Sequence, residues 1–133
     1  MKWTKQERDF LETARVARLA TVGPGGMPHN VPICPLLSGN RFYIGTERAT
    51  AKVRHVLAHP KVALVFDDYC EDWNHLRGVL VEGEARLVDR TTFRRVRAAL
   101  YRKFQQYERI APLGDRGAVV LEVIPQRKVG WGF

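Results

Sequence analysis

The sequence predicts a mainly β fold of the α+β kind, an antiparallel barrel of six to seven strands with about three flanking helices. Three observations lead there. Short β-branched and apolar segments are separated by Gly, Pro and Asn turns. Strand-like segments outnumber helix-like ones and do not alternate with them regularly, which excludes a doubly wound parallel sheet. Residues 77–88 set Val79, Val81, Gly83, Ala85 and Leu87 against Leu80, Glu82, Glu84 and Arg86. That period of two gives one buried and one wetter face, as an antiparallel strand requires.

Each element follows in order. Thr4, with Glu7 three residues on, forms a capping-box pattern in which each side chain bonds the other's free backbone amide. Phe10, Leu11 and Ala14 then share a face, so a short amphipathic helix runs to about residue 14. Residues 17–22 are apolar and β-branched and read as a strand, broken by the turn Gly23-Pro24-Gly25-Gly26. Residues 27–37 resume as a strand. Its prolines Pro28, Pro32 and Pro35 cannot donate to a ladder, which puts it at an edge or beside a bound group. Ser38-Gly39-Asn40 turns the chain into a third strand over residues 41–46.

Residues 50–59 read as a helix with Val53, Val56 and Leu57 on one side, ended by Pro60. Residues 62–67 form a compact apolar strand, the acidic stretch through Trp73 a loop, and residues 77–88 the long strand. Thr91 or Thr92 starts a third helix, with Phe93, Val96, Leu100 and Phe104 inward and Arg94, Arg95, Arg97 and Arg102 toward solvent. Residues 118–124 are another strand, and residues 127–133 return as a last edge. No repeat, low-complexity segment or linker divides the chain, so residues 1–133 read as a single domain.

Composition narrows the class. The 133 residues are 45% hydrophobic and 27% charged, which suits a soluble globular protein and excludes disorder, collagen and coiled coil. The longest apolar run, residues 31–37, holds two prolines and falls far short of the roughly 20 residues of a membrane-spanning helix. Met1-Lys2-Trp3-Thr4-Lys5-Gln6-Glu7 offers no apolar core for export. Cys34 and Cys70 lack the paired spacing of a zinc site or disulfide framework, which fits a reducing cytoplasm.

The net charge of +8, from 22 basic and 14 acidic residues, favours an anionic partner: nucleic acid, a phosphorylated cofactor or an acidic surface. The charge is uneven. Residues 90–109 hold seven Arg or Lys against one Glu, and residues 67–72 hold four carboxylates and no base. A basic face beside an acidic loop points to local roles, or simply to a solvated helix, more than to a uniform nucleic-acid surface.

Three stretches carry chemistry. In Tyr43-Ile44-Gly45-Thr46-Glu47-Arg48-Ala49-Thr50-Ala51-Lys52 a strand ends and hydroxyls and bases lead into a helix. A helix N-terminus presents free N–H groups and partial positive charge, so Thr46, Arg48, Thr50 and Lys52 around it would make a phosphate seat, or simply a capped helix with solvated charges. In Met27-Pro28-His29-Asn30-Val31-Pro32-Ile33 the prolines hold the strand extended, ready to offer backbone groups to a flat heterocycle or simply to protect an edge. In the third stretch Arg77 opens a strand with glycine gaps at Gly78 and Gly83, where a bend relieves crowding.

Taken together, these stretches resemble the flavin-binding split β-barrel proteins related to pyridoxamine 5′-phosphate oxidase, including the deazaflavin-dependent branch. Arg77-Gly78-Val79-Leu80-Val81-Glu82-Gly83 is similar to the family's Arg-Gln-Val-Arg-Val-Glu-Gly run, and the stretch from Phe42 to Lys52 to its aromatic strand and Ser-Arg-Lys phosphate site. The resemblance implies a homodimer with FMN in a groove between subunits and a small-molecule substrate. Val31, Pro32 and Ile33 would lie along the isoalloxazine. Thr46, Thr50 and Lys52 would bind the phosphate with Arg48 near it. Arg77, Gly78 and Trp131 would come from the other subunit.

There are departures. Ala51 stands where the oxidases often have a phosphate-binding Arg, and Gly78 where they have a flavin-contacting Gln. No Arg-x-His segment for pyridoxal phosphate precedes Trp131-Gly132-Phe133. The expectation is therefore an FMN-dependent oxidoreductase that is not a vitamin B6 oxidase. The alternatives are a deazaflavin-dependent reductase of the same fold, a basic nucleic-acid-binding barrel, or a flavin-binding protein without turnover. A haem-handling member has no evident axial ligand.

No side chain is named as a catalytic acid or base, and no Ser-Gly elbow or Cys-His pair supports nucleophilic catalysis. No metal site is expected. His55 and His59 are four apart on a helix but have no third ligand, and the acids Asp67, Asp68, Glu71 and Asp72 read as a solvated loop.

Overall fold

The computed structural model describes all 133 residues. The chain runs α1 (Lys5–Thr13), β1 (Ala17–Val22), β2 (Pro28–Ile33), β3 (Leu36–Ser38), β4 (Arg41–Glu47), α2 (Ala51–Ala58), β5 (Lys61–Asp68), β6 (Arg77–Leu87), α3 (Arg90–Lys103), α4 (Gln106–Ile110) and β7 (Ala118–Trp131). The capping box of α1 forms as the sequence predicts. The Glu7 amide donates to Thr4 Oγ1 at 3.1 Å and the Thr4 amide to Glu7 Oε1 at 2.9 Å. No helix is long and apolar enough to cross a membrane.

The seven strands form one antiparallel sheet in the order β2-β1-β5-β6-β7-β4-β3. Its two edges are neighbours in sequence, with only Cys34 and Pro35 between them. That link reaches about 11 Å at most, whereas the edges of a flat seven-stranded sheet stand about 29 Å apart. The sheet must therefore curl until β2 and β3 approach. They do not pair, so the barrel stays split.

The inner face of this curled sheet is buried, and the outer face is buried where α3 covers β4 and β7. Inside lie Leu19, Phe42, Ile44, Leu64, Phe66, Val79, Val81, Leu121 and Val123, with α1 contributing Phe10 and Leu11. Outside, α3 lays Phe93, Val96 and Leu100 against Tyr43, Ala118 and Val120. The alternation along β4 and β7 divides their side chains between the two cores.

Several details differ from the sequence-based expectation. Residues 27–37 are two strands, because β2 and β3 occupy opposite edges and the chain must turn at Cys34-Pro35. Pro28 and Pro32 do sit on an edge strand, as predicted, and Pro35 lies in the link to β3. Residues 118–131 form one strand instead of two. Pro125 is tolerated at a bulge, where Gly83 faces Pro125 and Glu82 faces Arg127, so Gln126 is the extra residue. A Cβ on Gly83 would strike the Ile124 carbonyl oxygen, so the bulge needs glycine there. Beyond Val123 the strand leaves β4 and pairs with β6 alone, so residues 127–131 do end as an edge.

α3 begins at Arg90, ahead of Thr91, because the Asp89 carboxylate accepts the Thr92 amide at 2.8 Å. Arg97 is turned toward Asp115 and the Leu113 carbonyl instead of open solvent. The five-residue α4 is a fourth helix that is too short to announce itself by apolar period.

Candidate functional site

The junction of β4 and α2 gathers four of the predicted residues. Thr46 is buried near the end of β4. Arg48 is exposed, and its amide donates to the Gly117 carbonyl at 2.8 Å, which pins the turn to the start of β7. Thr50 is the N-cap of α2, yet its side chain does not cap the helix. Its hydroxyl donates backward to the Glu47 carbonyl at 3.0 Å. The first helical amide to find a backbone partner is that of Arg54, bonded to the Thr50 carbonyl at 3.2 Å. The amides of Ala51, Lys52 and Val53 are thus left open at the positive end of the helix dipole.

Lys52 stands at the same end, half-buried. Burial alone, with no carboxylate beside it, holds its ammonium below the ordinary lysine range. Open helix amides and an under-neutralised cation at one helix end have the chemistry to hold an anion, and the residues present fit a phosphate.

β2 runs along the open edge of the sheet. Val31 and Ile33 turn inward and pack on the barrel core, whereas Pro32 faces out. The three residues predicted to line the isoalloxazine therefore present backbone more than side chain. Pro28, Asn30 and Pro32 share one parity of the ladder with β1. Prolines are tolerated at that parity because the missing donors belong to the open edge, which leaves Asn30 as that edge's amide donor.

Arg77, Gly78 and Trp131 come together at the other end of the sheet. Gly78 is paired with Trp131. A Cβ on Gly78 would lie 2.7 Å from both Trp131 Cε2 and the Phe66 carbonyl oxygen, so only glycine lets the indole rest on the strand. Trp131 remains 40% exposed. Arg77 is held by Asp68, with Nε at 3.0 Å and Nη2 at 2.8 Å, and lies over the Phe10 ring. β7 links the two groups. It starts at Ala118 beside Glu47 and ends at Trp131 beside Gly78, roughly 40 Å of strand path. The two groups thus stand at opposite ends of β7.

Two polar clusters are not singled out by the sequence. Glu122 is buried on the outer face of β7, directly opposite Tyr43 of β4 and Arg86 of β6. It accepts from the Tyr43 hydroxyl at 2.8 Å, from Arg86 at 2.8 Å and from Arg41 at 3.1 Å. Burial would raise its carboxyl, but the Tyr43 and Arg86 hydrogen bonds and the arginine charges together hold it below the usual range. The Tyr43 hydroxyl is pushed up by burial and by Glu122. The one sequence signal is a lone carboxylate within the apolar strand at residues 118–124.

The second cluster joins His55 to β1 and β2. Its Nδ1 lies 2.9 Å from Thr21 Oγ1, and its ring meets that of His29 edge to face at 4.9 Å. His55 is thus turned toward β1, whereas His59 is exposed at the end of α2.

Comparison with known proteins bears on this geometry. The sequence profile of pyridoxamine 5′-phosphate oxidase matches residues 3–128. A relative from Streptomyces rimosus subsp. rimosus, a 5a,11a-dehydrotetracycline/5a,11a-dehydrooxytetracycline reductase, is 35% identical over 97 residues. That match covers 64% of this chain and 63% of the relative, less than two thirds of the relative's length. Among solved structures, a conserved hypothetical protein of Mycobacterium tuberculosis superposes with a TM-score of 0.84 at 22% identity, over 99% of this chain and 86% of the other. A FAD-binding protein of Mesorhizobium loti superposes with a TM-score of 0.78 at 19% identity, over 96% and 94%. At these identities the two structures share the fold.

Proposed function

We propose that this chain, which belongs to the pyridoxamine 5′-phosphate oxidase family, is an FMN-dependent oxidoreductase of a small organic molecule. The observation that carries the proposal is the β4–α2 junction, where open helix amides meet the unpaired, half-buried Lys52. The reductase from Streptomyces rimosus supports oxidoreductase chemistry. Gly78 and Ala51, which stand where the B6 oxidases carry Gln and Arg, set this chain apart from vitamin B6 oxidation.

In this reading Lys52 and Arg48 neutralise the cofactor phosphate, the amides of residues 51–53 orient it, the Thr50 hydroxyl turns from the Glu47 carbonyl to donate to it, and Thr46 closes the floor beneath it. β2 lies along the ring system, and the amide of Asn30 on its open edge stabilises negative charge there. Arg77, Gly78 and Trp131 of a second copy complete the groove, because in one chain the two groups stand at opposite ends of β7. When bound, the flavin supplies the electron or hydride transfer, and the protein supplies binding, orientation and electrostatics.

The test is an FMN titration of the purified protein and of Lys52→Met. Loss of one charge-assisted contact, about 1.5–3 kcal/mol, weakens FMN binding roughly tenfold or more. Equal affinity in the two proteins would remove Lys52 from the phosphate seat.

A further inference from the structure

The far end of the barrel holds a cavity that the residues above do not use. Just beyond Ile33, an open apolar hollow of about 400 Å³ is lined by Cys34, Phe104, Tyr107, Ile110 and Ala111. It adjoins a vestibule of about 320 Å³ with no apolar residue in its wall. Arg15 and Gln106 border both spaces, and Lys103 and Arg109 stand in the vestibule.

The vestibule is cationic, and Glu12, outside its wall, is the one carboxylate that acts on Lys103. The vestibule wall contains three bases and no carboxylate. Arg15 lies over the Phe104 ring, 4.4 Å from its centre, and donates to the Lys103 carbonyl at 2.8 Å. Lys103 Nζ donates to the Pro35 carbonyl at 2.7 Å. Arg15 and Lys103 are thus each held in place by a neutral oxygen, which fixes position without cancelling charge. Burial, and then repulsion from Arg15, brings the Lys103 ammonium down to about 8. A negative group between the two would relieve that repulsion.

An apolar hollow of this size beside fixed positive charge is complementary to a molecule with an apolar body and an anionic head. Phe104 and Tyr107 stand edge to face, their ring centres 6.1 Å apart, so one side of the hollow is aromatic. We infer that this cavity binds a small apolar ring compound carrying one anionic group, the ring against Phe104 and Tyr107 and the anion between Arg15 and Lys103. The inference uses no residue of the phosphate seat and holds whichever cofactor the chain carries.

The test titrates the full-length protein, as purified, with 2-naphthoate and with its neutral counterpart 2-naphthalenemethanol, read by calorimetry. One naphthoate binds per chain, and the neutral compound binds at least about tenfold more weakly. Arg15→Gln and Lys103→Met each weaken naphthoate about tenfold and leave the neutral compound unchanged. Ile110→Asp, at a surface-exposed wall position, removes binding of both, and circular dichroism reports whether the fold is retained. In a Cys70→Ser background, naphthoate slows maleimide labelling of Cys34. Equal affinity for the two compounds, no binding of either at millimolar concentration, or unchanged naphthoate affinity in both charge variants would overturn the inference. FMN absorbance, followed in the same samples, reports separately on the cofactor.

Discussion

Replacing Glu122 by Leu tests how β4, β7 and β6 are held together. Glu122 joins β4 to β6 across β7 through Tyr43, Arg41 and Arg86. The partners differ in what they lose. The Arg41 and Arg86 side chains are 44% and 62% exposed, so they return to water, and each ion pair is worth about 0–1 kcal/mol. The Tyr43 hydroxyl sits in a buried residue, and an orphaned hydroxyl costs about 1–3 kcal/mol. The expected loss is about 3 kcal/mol. Unfolding entropy near 2.1 cal/mol/K per residue gives a Tm drop of about 10 °C for this chain.

Calorimetry of Glu122→Leu, Tyr43→Phe and the double variant separates the parts. The double variant leaves no orphaned hydroxyl, so its loss is smaller than the sum of the single losses by about 1 kcal/mol. The pH dependence has a definite sign. Glu122 is held below its unfolded value, so its stabilisation is present above the ordinary carboxylate range and fades as pH falls through the lowered folded value. Wild type and Glu122→Gln therefore converge in acid. A Tm drop under about 2 °C for Glu122→Leu, or strict additivity in the cycle, would refute this reasoning.

Other expectations are as direct. FMN affinity is flat near neutral pH and falls as pH rises through the lowered Lys52 value, ahead of the ordinary lysine range; Lys52→Arg, titrated alongside, keeps its affinity further into alkali. Gly78→Val drives a branched side chain against the Phe66 carbonyl and the Trp131 ring and costs about 2 kcal/mol in urea unfolding. Adding Trp131→Ala relieves only part of that cost, because the Phe66 carbonyl is backbone; a neutral Gly78→Val would contradict the Gly78–Trp131 packing. Thr4→Ala breaks the capping box and costs about 1 kcal/mol, measurable by thermal melting.

The elements that declare themselves in the sequence do so through local rules. Thr4 with Glu7 marks a helix start, the alternation after Arg77 marks a two-faced strand, and the prolines of β2 mark an edge. What local rules cannot supply is long-range register. Nothing in Ile33-Cys34-Pro35-Leu36 says that the chain there crosses from one edge of the sheet to the other. The bulge at Gln126 depends on Gly83, far away in sequence. The same limit applies at the candidate site. Thr46, Arg48, Thr50 and Lys52 lie within seven residues and are legible together. The pairing of Gly78 with Trp131, the burial of Glu122 among arginines, and the approach of Arg15 to Lys103 all arise from strands and helices meeting across the fold.

The central claim, that this split barrel carries FMN, is tested most directly by the visible spectrum of freshly purified protein, before and after heat release of bound ligand. The account predicts a yellow protein that releases FMN, or an apoprotein that takes up added FMN and loses that uptake with Lys52→Met. A colourless protein that takes up no added FMN would contradict it, and uptake of a deazaflavin in its place would keep the fold and replace the cofactor.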